Sequence, residues 1–78
     1  MTPKQSRKLL ESLPTGYLAK AQLLLAEKGR QYTISTISRV ANAKLQNELI
    51  EDVLFALAEV ETKRRKDREE HLDRILNS

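Results

Sequence analysis

Four stretches of the chain carry apolar residues at spacings of three and four, the period of a helix with one buried face. The first holds Leu9, Leu10 and Leu13 and is preceded by Thr2-Pro3-Lys4-Gln5. Thr2 is placed to cap, Pro3 suits the first helical position, and Gln5 completes a capping box. This predicts a helix over residues 3–12. Pro14 ends it by pushing Leu13 out of helical geometry. In the second stretch, Leu18, Ala21, Leu24 and Leu25 predict a helix over 16–28, opened by Thr15-Gly16. Gly29 is its expected left-handed stop, with Lys28 against the negative helix end.

The third stretch is Tyr32-Thr33-Ile34-Ser35-Thr36-Ile37-Ser38-Arg39-Val40-Ala41-Asn42. Thr33 offers a cap, and the helix is expected over about 34–43. With Ile37 pointing inward, about 100° per residue puts Val40 and Ala41 on the buried side and Ile34 at its margin. Ser35, Arg39 and Asn42 then point outward, with Thr36 and Ser38 on the shoulders. The fourth stretch follows Asn47, a residue suited to capping, and meets no Gly or Pro from Glu48 onward. Its first half carries Leu49, Ile50, Val53, Leu54, Leu57 and Val60. Its second half is charged and closes on Leu72, Ile75 and Leu76. The i,i+4 pairs Glu59/Lys63, Glu61/Arg65 and Glu70/Arg74 support a helix. Unbroken, it would run roughly 43 Å, longer than so small a domain can cover. The fold predicted is all-α: a small bundle of about four helices with a long C-terminal helix.

Composition narrows the chemistry. There is no cysteine, which excludes disulfides and thiolate metal sites. No apolar run is long enough to span a bilayer. No signal-peptide core opens the chain, so a cytoplasmic, nucleoid-associated location is expected. Tyr17, Tyr32 and Phe55 are too few for stacking on single-stranded nucleic acid. Residues 1–46 hold eight Lys/Arg and two acids, a net +6; residues 47–78 hold six and nine, a net −3. The basic part is the part with the third helix, which suits a phosphate-facing surface. His71 has no second histidine or cysteine to make a metal site. Gly16 and Gly29 form no phosphate-cradling loop, and the acids lie mostly along one helix. An enzyme is not expected, and neither a cofactor nor a small-molecule ligand is implied.

The outward face of the third helix suits the major groove of duplex DNA. Short hydroxyls let the backbone approach, and one long donor reaches a base edge. Arg39 is placed to pair with guanine, or else with a surface acid. Lys28, Arg30 and Lys44 flank the helix as phosphate clamps, or complement helix ends. Tyr32 packs under the turn, and its hydroxyl is either a phosphate donor or simply part of the packing. The run Lys63-Arg64-Arg65-Lys66-Asp67-Arg68 reads better as a solvated helix face with internal pairs than as a second nucleic-acid patch.

The segment from Thr33 to Asn42 resembles the recognition helix of the lactose-repressor family, a helix-turn-helix family. There a Ser/Thr cap precedes a Thr-Val-Ser-Arg-Val-x-Asn run, matched here by Thr36, Ile37, Ser38, Arg39, Val40 and Asn42. The family's following helix, of the form x-x-V-x-x-A-x-x-E-L, is matched in shape by Glu51 to Val60. Small phage-repressor-like regulators are similar. The resemblance implies base readers at Ile34, Ser35 and Arg39. It implies phosphate-contacting or helix-positioning roles for Thr33, Thr36 and Asn42, and core roles for Ile37 and Val40. Gly29 lies about two residues earlier than the family's turn glycine, so the turn here is longer.

One helix-turn-helix domain over 1–78 is therefore expected. Residues 1–47 form its basic part and 48–78 the long helix, with Leu72, Ile75 and Leu76 as a dimerisation surface. The function expected is sequence-specific double-stranded DNA binding by a homodimeric transcriptional regulator. The alternative is a helical protein-interaction module, an adaptor or antitoxin-like partner, acting through the long helix.

Overall fold

A computed structural model describes residues Met1–Asn77. Among the described residues there are four helices and no strand: α1 (Pro3–Ser12), α2 (Tyr17–Glu27), α3 (Ile34–Ala41) and α4 (Glu48–Leu76). Ser78, the end of the expected domain and last helix, lies outside the described residues. The protein is an all-α bundle with a long C-terminal helix.

The helix ends follow local chemistry. Thr2 Oγ1 accepts from the Gln5 N–H at 3.2 Å, and Gln5 Oε1 accepts from the Thr2 N–H at 3.0 Å, closing the capping box. α2 is one residue shorter at each end than its apolar pattern suggested, because Gly16 (φ 74°) is left-handed and Lys28 is the cap residue. Its C-terminus closes in a Schellman motif around Gly29 (φ 80°). The Arg30 N–H donates to Leu25 O at 2.9 Å, and the Gly29 N–H to Ala26 O at 3.0 Å. Asn47 caps α4, its Oδ1 accepting from the Ile50 N–H at 3.2 Å.

All four helices meet in one core. Its largest fully buried side chains are Leu25 from α2, Ile37 and Val40 from α3, and Ile50 and Leu54 from α4. Leu9 and Leu13 close it from α1 and the turn after it. Each large side chain removed from water contributes about 1.5–3 kcal/mol.

α4 runs past this core. Val60 was expected on the buried stripe but is 68% exposed. It shares that stripe with the buried Val53, seven residues earlier, so the cover on that side ends near the half-buried Leu57. On the α1 side, burial continues to Glu61, and every residue from Thr62 to Asn77 is exposed.

Glu61 and Arg65 join α4 to α1. Arg65 Nη1 donates to Glu11 O at 3.0 Å and Nη2 to Leu13 O at 3.4 Å, satisfying carbonyls that the end of α1 leaves open. Glu61 holds that guanidinium from behind, accepting from Arg65 Nε at 3.2 Å, and also binds Arg64 at 2.9 and 3.1 Å. Of the three expected i,i+4 pairs, Glu61/Arg65 alone closes among the described residues.

Hydrogen bonding from Arg64, ahead of its Coulomb attraction and the bonds from Arg65, holds the Glu61 carboxyl below the usual carboxylate range. A carboxylate with a lowered pKa stabilises the fold above its unfolded-state pKa, and that stability is lost as pH falls through the folded-state value. Glu61→Gln should therefore lower the melting temperature at neutral pH. The gap to wild type should shrink as the pH drops below about 4, as followed by circular dichroism melts across pH. A gap independent of pH would contradict this role.

Candidate nucleic-acid interface

α3 is eight residues long, and nearly every polar group at its ends is accounted for. Thr33 caps it, with Oγ1 accepting from the Thr36 N–H at 3.2 Å, and the two threonine hydroxyls lie 2.9 Å apart. At the other end four carbonyls need partners. Ser38 O accepts from the Asn42 N–H at 3.0 Å and from Asn42 Nδ2 at 2.8 Å. Arg39 O accepts from the Lys44 N–H at 2.9 Å, and Val40 O from the Ala43 N–H at 3.1 Å. These last two make a second Schellman motif, with Ala43 left-handed (φ 59°) where glycine is usual. That turn ends the helix two residues before the expected 43. Ala41 O accepts from the hydroxyl of Ser6 on α1.

Ser6 was not singled out from the sequence, yet it fixes α3 against α1 from a buried position. A signal was present: Ser6, Leu9 and Leu13 stand at spacings of three and four, so Ser6 belongs to the buried stripe of α1.

Six residues, Lys28 to Thr33, join α2 to α3, more than the three or four of a tight helix-turn-helix turn. The extra length is pinned from both sides. Gln22 Nε2 on α2 donates to Tyr32 O at 3.0 Å, and Asn47 Nδ2 donates to the Tyr32 hydroxyl oxygen at 3.4 Å. Tyr32 is half-buried and packs against the core.

The inward and outward faces of α3 lie where the 100° spacing put them. Ile37, Val40 and Ala41 are buried; Ser35, Arg39 and Asn42 are exposed; Thr36 and Ser38 are intermediate. Ile34 is 41% exposed, at the edge of the outward face. Lys28, Arg30, Thr33 and Lys44 are exposed at the two ends of α3. Arg39, Lys28, Arg30 and Lys44 form no ion pair among the described residues. Their charge therefore faces solvent uncompensated. Asn42 is turned back on Ser38, its amide nitrogen donating to the Ser38 carbonyl. The Thr36 hydroxyl is spent on Thr33, and the Tyr32 hydroxyl retains its own proton to donate.

Residues 28–47 carry Lys28, Arg30, Arg39 and Lys44 and no acid at all, a local +4 in a chain of net +3. Leu72, Ile75 and Leu76 lie on the far part of α4, away from this region and all exposed.

Among the described residues, no cluster of three or more His, Cys, Asp or Glu converges to hold a metal ion. No helix there is long and apolar enough to cross a membrane. No protein-family model, curated protein or solved structure matches this chain.

Removing the Ser6 hydroxyl leaves a buried carbonyl without its donor. Ser6→Ala should cost about 1–3 kcal/mol of stability, measured by urea denaturation. An unchanged midpoint would show that α3 does not depend on this bond.

Proposed function

We propose that the protein binds double-stranded DNA through the major groove, with α3 as the reading helix, and acts as a sequence-specific regulator. The observation that carries this reading is the acid-free segment 28–47, whose outward face joins unpaired cations to small hydroxyls on one short helix. An α-helix is about 10–12 Å across, and the major groove of B-DNA is about 12 Å wide. Short side chains at Ser35 and Thr36 let the backbone approach the base edges. Arg39 reaches from the centre of the face with a two-pronged donor matched to guanine N7 and O6.

Ile34 and Ser35 complete the reading face, Ile34 with an apolar contact suited to a thymine methyl. Lys28, Arg30 and Lys44 hold phosphates on either side. Thr33 and Thr36 set the helix start, Asn42 braces its end, and the Tyr32 hydroxyl donates to a phosphate. One eight-residue helix supplies limited affinity, so two copies reading a two-fold site about one helical turn apart fit the function. The second reading, a helical module that binds another protein through α4, is favoured by the exposed apolar end of that helix. It predicts no role for Arg39.

Binding to a pool of random duplexes, followed by sequencing of the bound fraction, tests the proposal. Wild type should enrich a two-fold motif. Arg39→Ala should lose about 1–3 kcal/mol on the best site and blur one base position. Equal loss on all sequences would remove Arg39 from the reading role. Lys28→Ala should weaken every sequence alike and reduce the slope of log K against log salt by about one. No binding even at low salt would transfer the function to the protein-interaction reading.

A further inference from the structure

The face of α1 and the middle of α4 enclose an open groove of about 720 Å³. Its floor is apolar, made by Leu9, Phe55 and Ala58, and Phe55 is 45% exposed there, a large aromatic surface left in water. The rim carries Lys8 from α1 and Lys63 and Lys66 from α4, against the single acid Glu59. None of these four closes an ion pair among the described residues, so the rim keeps a net +2. The other polar side chains that α1 brings to the groove are engaged within its own segment. Gln5 is held in the capping box, and the Ser12 hydroxyl donates to Lys8 O at 3.1 Å. Two demands are left unmet: cover for an aromatic ring, and negative charge for three lysines.

Both walls are helices, whose backbone groups are bonded internally, so an extended segment would find no edge to pair with. A helix brings its own backbone bonds and needs only an apolar stripe facing the floor. From Phe55 to Lys66 is eleven steps along α4, roughly 17 Å or about three helical turns. Ser12, Ala58 and Thr62 are small and let a partner backbone come near. Near Lys66 the two walls are tied together, because Arg65 donates to Glu11 O and Leu13 O. Walls fixed before binding lose little freedom on it. A second copy of α4 does not fit this rim. Residues 63–68 hold five cations and one acid, so α4 reversed onto its own middle sets cation against cation. A bilayer is flat, whereas the apolar floor is recessed between two helices. Duplex DNA would meet the lysines and leave Phe55 uncovered.

We propose that the α1–α4 groove docks an acidic amphipathic helix of a partner protein. The apolar stripe of that helix lies over Leu9, Phe55 and Ala58. Asp and Glu on its flanks meet Lys8 on one side and Lys63 and Lys66 on the other. The apolar floor supplies contact area, and the rim decides which helices are admitted, because a basic amphipathic helix of the same shape is repelled. Leu72, Ile75 and Leu76 take no part, so the surface is separate from the end of α4. It is also separate from the outward face of α3, and it is tested without DNA. Its failure and a failure of the DNA reading are therefore distinguishable.

The test selects a display library of helical peptides, about four turns long, against the 78-residue chain. The bound fraction should enrich apolar residues at steps of three and four, flanked by Asp and Glu. A synthetic copy of an enriched peptide should bind more weakly as salt rises. It should move the nuclear magnetic resonances of Lys8, Phe55 and Lys63. Phe55→Asp and Lys63→Glu should each raise its dissociation constant about tenfold or more. Both side chains are exposed, so the melting of the bundle should change little. Exchanging the peptide Glu that faces position 63 for Lys should restore binding to Lys63→Glu and not to Phe55→Asp. No enrichment, enrichment of basic or uncharged peptides, or equal binding to wild type and both variants would overturn the proposal. So would groove resonances that move with duplex DNA or phosphatidylglycerol vesicles and with no peptide.

Discussion

An eight-residue helix does not hold itself in water, because nucleation costs more than so few backbone bonds return. α3 exists because the rest of the molecule holds it. Ile37, Val40 and Ala41 give up their whole inward face to the core. The C-terminal carbonyls are closed by the turn through Ala43, the Asn42 amide and the Ser6 hydroxyl. Once both demands are met, the outward face, Asn42 aside, has no structural duty. Arg39 and Ser35 are thus free of the compromises that burial imposes, and their neighbours are fixed in place around them.

The long helix supplies the frame. Its first half buries Ile50, Val53 and Leu54 against the other three helices, and Asn47 at its start also donates to Tyr32. The connection that precedes α3 is therefore tied to the same helix that supports α3 from beneath. At the middle of α4, Glu61 and Arg65 close the end of α1, the helix that carries Ser6. Charge separates along the same frame. The acids gather on α4, and the segment around α3 holds only cations. A surface proposed to meet phosphates and one proposed to dock a partner helix occupy different parts of the chain.

Local patterns carried much of this into view. The four helices, the Thr2/Gln5 box, the Thr33 and Asn47 caps and the stop at Gly29 are all short-range effects, and short-range rules find them. The outward face of α3 follows from one assumption about Ile37 and a fixed angle per residue. What stayed hidden depends on distance along the chain. The bond from Ser6 to Ala41 spans 35 residues, and that from Arg65 to Glu11 spans 54. Nothing in either neighbourhood names the partner. Val60 was misplaced for a related reason: helical period says which side a residue faces, but not where the covering helices end. The left-handed Ala43 was missed because alanine gives no sign of that conformation.

The proposed DNA-binding face is α3 with its flanking cations. The most direct measurement is a nuclear magnetic resonance titration of isotope-labelled wild-type protein with duplex DNA at low salt. Shifts should concentrate at Lys28, Arg30, Thr33 to Ser35, Arg39 and Lys44, with the far end of α4 unmoved. Shifts confined to the α1–α4 groove, or no shifts at all, would contradict it.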